Sequence, residues 1–305
     1  MHWFWIALIP PALWGINNYI DKYLVERFFK KTGAGALVVM SAAVGIVPIV
    51  LIPLAGVSVL SISPFHGALV MLSGSLWLFA TIPYFYAFQN DEASVVVPLM
   101  QVLPIFQLLL GFFILGEVLT HSQLLGVLTI TEGAIFISID FSKSKNKFRL
   151  RAFLLMLLAT FLWSLNFFGF KFIALEEPFF VTLFWESIGF TIVGVVLISF
   201  VPAYRKQLFD MFHAAPGPMM ALNFVNEVMG LTAKIIFNFA SLLVPIALVS
   251  AVVGFQPLVV FLYGIILTIF FPKIIKENLQ LKFVAQKIFS IILIVLGSLL
   301  INNIL

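Results

Sequence analysis

The chain has 305 residues, of which 62% are hydrophobic and 10% charged, with a formal net charge of +4 and a mean hydropathy of +1.15. That composition excludes a water-soluble domain, because about 20 consecutive apolar residues cross roughly 30 Å of hydrocarbon and most of this chain is written in such blocks. Cysteine is absent, which excludes disulfides and thiolate metal sites, and the four histidines are not at ligand spacing, so no metal or other cofactor is expected.

In chain order, ten apolar blocks are centred near Leu8, Val44, Leu78, Leu103, Thr129, Phe161, Thr191, Asn226, Gly254 and Ile292, five in each half. They are too long for barrel strands and lack period-two polarity, which leaves transmembrane helices and an all-α polytopic fold. The breaks are turn-like or charged, at Lys30–Gly33, Ser61–Pro64, Asn90–Glu92, Glu176–Pro178, Tyr204–Asp210 and Pro272–Lys282, with a weaker one at Glu117–Ser122. The first block follows Met1-His2-Trp3-Phe4-Trp5, which has no cationic start, so a retained helix rather than a cleaved signal is expected.

The halves repeat. Trp14, Asn17 and Lys22 recur as Trp163, Asn166 and Lys171, each displaced by 149 positions, and Pro104 and Gly111 recur as Pro257 and Gly264, displaced by 153. Five spans per copy force the second copy to cross the membrane upside down, so the expected architecture is ten helices in two inverted five-helix repeats. The boundaries are residues 1–140 and 152–305, joined by a basic linker at 141–151 that reads as a loop against anionic lipid rather than a nucleic-acid site.

Fifteen of the 17 Lys and Arg lie in or beside the odd-numbered loops, among them Arg27, Lys143, Arg205 and Lys273. The excess of positive charge on cytoplasmic loops then puts both termini outside. Lys171 and Lys234 are the two exceptions; Lys22 and Lys171, near span ends, are expected to snorkel to headgroups.

Asn223, Glu227, Lys234 and Asn238 form one stripe on the eighth span, with Gly230 between them. An ion at the bilayer centre costs about 2.5–3.5 kcal/mol on insertion scales, so Glu227 and Lys234 face protein, water or each other. Seven residues span about 10 Å along a helix, too far for easy direct pairing, which favours a substrate between them over a structural seam. Trp77, Thr81 and Tyr84 make the matching stripe on the third span, an aromatic wall opposite a charged one.

Trp14, Asn17 and Asn18 on the first span, and Trp163 and Asn166 on the sixth, complete the candidate substrate-binding set. Their amides either bond across helices or offer donor and acceptor to a ligand. Glu227 and Glu186 are candidates for proton coupling, and Pro98, Pro104 and Pro257 for kinks that flex. Glu132 on the fifth span reads as a contact with a neighbouring helix or with the second copy of a homodimer.

The residues Trp14-Gly15-Ile16-Asn17 with Lys22, Ala93-Ser94 through Pro98, Pro104, Leu115-Gly116-Glu117, Leu119-Thr120, Gln123, Gly126 and Gly133 resemble the EamA-type branch of the drug/metabolite transporter superfamily. In the second half Ser164 stands where Gly15 does, and Leu-Gly-Glu has become Ile275-Lys276-Glu277. The resemblance implies a ten-helix basket whose cavity is lined by the first, third, fourth, sixth, eighth and ninth helices, with the fifth and tenth peripheral. It also implies export or exchange of small metabolites across a bacterial-type inner membrane and cytoplasmic termini, opposite to the charge count.

The expected function is therefore a secondary carrier of a small amphiphilic metabolite such as an amino acid, working by alternating access. The alternatives are a lipid flippase or passive channel, or a non-transport scaffold or receptor. An enzyme is not expected, since the spans carry no His-Glu-x-x-His, no Gly-x-Gly-Asp and no nucleophile turn.

Overall fold

A computed structural model describes residues 2–24, 35–90, 99–138, 150–214, 217–270 and 281–302. Among them every regular element is a helix: α1 (His2–Ala7), α2 (Ile9–Leu24), α3 (Gly35–Ala43), α4 (Ile46–Leu54), α5 (Pro64–Asn90), α6 (Leu103–Leu115), α7 (His121–Ser138), α8 (Leu150–Ala174), α9 (Phe179–Phe200), α10 (Pro202–Ala214), α11 (Gly217–Leu243), α12 (Ile246–Val253), α13 (Gln256–Phe270) and α14 (Leu281–Ile301). Pro98, nearly all of the basic linker and the cations following α2 and α13 up to Lys276 lie outside the described residues.

Six described stretches are long and apolar enough to span a bilayer: Gly35–Leu54, Pro64–Ala87, Leu150–Ala174, Phe179–Phe200, Gly217–Leu243 and Ile246–Ile266. Leu103–Leu115 and Ala285–Ile301 are shorter apolar helices. Tyr204–Asp210, read from sequence as a break, is helical, because Pro202 starts α10 where its missing N–H costs nothing. Gln207 of α10 accepts a 2.8 Å hydrogen bond from the backbone N–H of Gly35, which ties that helix to the start of α3.

The packing crosses between halves reciprocally. Helix α2 lies against α11 and α13, while α8, which carries the matching Trp-Asn signature, lies against α5 and α6. Helix α9 packs on α5, and α7 pairs with α14. Apolar burial alone does not drive these contacts in lipid, so close backbone approach does. A Cβ on Gly189 would come within 2.0 Å of the Met71 carbonyl oxygen, and one on Gly74 within 2.1 Å of the Glu186 carbonyl oxygen. Gly126 and Gly297 make the same kind of crossing between α7 and α14.

Pro104 and Pro257 occupy the second positions of α6 and α13, so neither kinks a helix interior. The chain is instead broken just before each of them. Short turns carry it through Val102 on one side and through Gly254 and Phe255 on the other. The proline within α5 is Pro83, between the cavity residues Thr81 and Tyr84.

Candidate functional site

Side chains from both halves surround a cavity of about 160 Å³ in the middle of the bundle. At about one probe sphere of 10–15 Å³ per water, that is room for roughly ten waters or one small organic molecule. Nine of the sequence-derived candidates are in its wall: Trp14, Asn17, Asn18, Trp77, Thr81, Tyr84, Trp163, Glu227 and Lys234. Asn166, Asn223 and Asn238 are buried but outside the wall. Among the described residues neither α7 nor α14 contributes to it, while Ser41, Val44 and Phe190 add the second and seventh apolar blocks to the six expected.

The aromatic side of the wall is continuous. Trp163 meets Tyr84 and Trp77 with ring centroids 5.2 and 5.9 Å apart, and Trp14 meets Phe167 at 6.3 Å. These rings are held by helices of both halves of the chain, α2, α5 and α8, so a ligand against them touches both halves at once.

Beneath the cavity lies a dry ion pair. Lys234 Nζ is 2.5 Å from Glu186 Oε1, with side chains 1% and 0% exposed, and it lies 5.1 Å from the Trp77 ring centre. Asn166 donates to Glu186 Oε1 at 2.8 Å, and Asn238 approaches Oε2 at 3.5 Å. Glu186, a coupling candidate from sequence, is thus fully buried. Asn166 and Asn238 hold this carboxylate rather than face the cavity. Lys234 pairs with Glu186 on α9 rather than bridging to Glu227, a long-range contact that one helix's periodicity does not register.

Glu227 accepts a 2.8 Å hydrogen bond from Ser41 Oγ. Asp21, also in the wall, accepts 2.7 Å from Nδ2 of Asn226, the chain neighbour of Glu227. Asn17 donates to the Asn226 carbonyl at 3.0 Å. Asp21, Ser41, Asn226, Gln101, Gln256 and Thr160 are wall residues outside the sequence-derived candidate set. Asp21 had a readable signal, since it stands four residues after Asn17 and three after Asn18 on the same helix; its proximity to Lys22 made it look like a span end.

A second ion pair, this one between the two halves, lies beyond the α8 wall residues. Lys171 pairs with Glu117 and donates to the Val244 carbonyl at 2.8 Å, while Glu117 Oε2 accepts 2.9 Å from the Ile246 N–H at the start of α12. Lys171 is 4% exposed and does not snorkel. The turn that aims Glu117 depends on Gly116, at φ 66°, a left-handed conformation that glycine adopts freely. Gly111 leaves room for the carboxylate, for a Cβ there would meet Glu117 Oε2 at 2.5 Å.

Residues 1–139 match the model of the EamA-like transporter family. A protein of known crystal structure superposes with a TM-score of 0.69 over 100% of this chain and 99% of its own, at 14% sequence identity, a likeness of fold. No curated protein sequence matches the chain. Residues 1–139, somewhat under half of the chain, are thus similar to the EamA-like transporter family, whose members are membrane transporters.

Proposed function

We propose that the chain is a secondary carrier, an exporter or exchanger, of a small amphiphilic metabolite such as an amino acid, moved by alternating access between two inverted five-helix halves, residues 1–140 and 152–305. The observation that carries this reading is the cavity itself, an aromatic wall and a charged wall assembled from corresponding helices of both halves. The reciprocal packing of α2 on α11 and α13, and of α8 on α5 and α6, supports the inverted repeat. So do the paired breaks before Pro104 and Pro257, because interrupted helices at a central site are a recurrent transporter device.

Two wall groups support ligand binding directly. Trp163 Nε1, a donor, and Asn17 Oδ1, an acceptor, are buried without a protein partner, and such groups cost about 1–3 kcal/mol unless a ligand or solvent meets them. In this reading the Glu117–Lys171 pair closes the end where α8 finishes and α12 begins, and the cavity opens towards the opposite side. By the charge count that side carries the basic loops and is cytoplasmic, with both termini outside, in a bacterial-type inner membrane. Glu227 and Glu186 are the coupling candidates. The chain works alone or as a homodimer, without nucleic acid or cofactor.

Counterflow in liposomes tests the carrier reading. Vesicles loaded with a pooled metabolite mixture should take up a labelled solute saturably, and a Glu227→Gln, Lys234→Ala variant should lose that uptake. Uptake that does not saturate makes the protein a channel, and scrambling of labelled lipid without solute flux makes it a flippase.

A further inference from the structure

The charged groups of the cavity do not balance. Among the described residues its wall contains one cation, Lys234, and that ammonium is already matched by Glu186. The two other charged wall residues are both acids, Asp21 and Glu227, half-buried where they face the cavity. Two carboxylates lining one cavity inside a membrane bundle have lost much of their hydration, so a positive charge arriving from solution is stabilised there.

The neutral groups around them have the same polarity. The Asn226 amide N–H is donated to Asp21 and that of Asn17 to the Asn226 carbonyl, which leaves Asn226 Oδ1 and Asn17 Oδ1, 98% and 91% buried, as acceptors without a protein partner. Ser41 gives its proton to Glu227. The Asn226 and Asn17 oxygens, on residues of the same wall as Asp21 and Glu227, receive N–H donors or a cation in preference to a carboxylate.

The rest of the wall selects the kind of cation. Trp14, Trp77, Tyr84 and Trp163 offer flat apolar surface and negative ring faces next to the acids, which suits a carbon skeleton carrying the charge better than a bare ion. We infer that the cavity is a site for an organic amine in its cationic form, its ammonium between Asp21 and Glu227 and its apolar body against Trp14, Trp77 and Trp163. This presupposes the carrier cavity proposed above and narrows its substrate from a small amphiphilic metabolite to an amine that lacks a free carboxylate, since among the described residues no unmatched cation lines the cavity to receive one.

Three probes share one aromatic body and differ in charge: tryptamine is cationic, tryptophan zwitterionic and indole-3-acetate anionic. Equilibrium binding to the purified full-length protein in detergent should rank them in that order, tryptamine at least tenfold tighter than tryptophan and indole-3-acetate weaker still. Asp21→Asn and Glu227→Gln should each weaken tryptamine at least tenfold. The ranking on the wild-type protein decides the matter even where a variant fails to fold. Equal or tighter binding of tryptophan or indole-3-acetate, or no binding of any probe, overturns the inference. So does protection against thermal unfolding by NaCl but not KCl at equal ionic strength together with displacement of tryptamine, because the occupant is then an inorganic cation. Tryptamine that binds but shows no counterflow leaves the cation site standing and breaks the carrier reading instead.

Discussion

Two of the charge clusters among the described residues are built in opposite ways. Glu186 is closed: Lys234, Asn166 and Asn238 surround its oxygens and it is 0% exposed. Asp21 and Glu227 are open: each has one neutral donor, Asn226 or Ser41, and each faces the cavity. The difference separates two uses of a carboxylate in a membrane. A closed one holds helices together at a desolvation cost offset by its partners, whereas an open one is incomplete until something from solution arrives.

Breaking the closed cluster should have the largest effect. Glu186→Ala leaves the Lys234 ammonium without its counter-ion in a dry interior and should destabilise the protein by about 3–5 kcal/mol, measured as thermal unfolding in detergent. Glu186→Met with Lys234→Met should recover most of that loss. If the single variant is as stable as the wild type, the pair is not closed in the sense argued.

Helix contact comes next. Gly189→Ala should cost about 1–3 kcal/mol, since its Cβ would sit 2.0 Å from the Met71 carbonyl oxygen and α5 would have to move from α9. Lys171→Met, which leaves Glu117 with the Ile246 N–H but without its cation, should cost a similar about 1–3 kcal/mol. It should also raise the labelling rate of an engineered Val244→Cys by a membrane-impermeant thiol reagent.

Glu227→Gln sharpens the comparison from the other side. The amide oxygen can still accept from Ser41, and one of the two acids lining the cavity is gone, so stability should change by under about 1 kcal/mol while counterflow falls at least tenfold. A variant that loses stability instead would mean that the open cluster is structural. The smallest effect belongs to Trp163→Phe, which keeps a ring against Tyr84 and Trp77 but removes the unpartnered Nε1 donor. A few-fold weakening of solute binding, with unchanged unfolding, is the expected result.

Much of this was legible beforehand along single helices. The stripes Trp77–Thr81–Tyr84 and Glu227–Lys234 reach the cavity because residues three and four apart share a face, whatever the neighbouring helices do. The same rule carried Asn223 and Asn238 into the candidate set, although they point away from the cavity, since periodicity finds a face without saying what lies across from it. The prolines misled for a related reason: Pro104 and Pro257 read as kinks in continuous spans, whereas the chain has already turned before each and restarts as a helix.

By itself the sequence determined that this is a helical membrane protein, because apolar block length is a property of the chain alone. Only the tertiary structure decided which charge meets which. Glu186 to Lys234 spans 48 positions, Glu117 to Lys171 spans 54, and Asp21 reaches Asn226, next to Glu227, across 205. Electrostatic pairing depends on distance in space, and helix packing rather than chain order sets that distance.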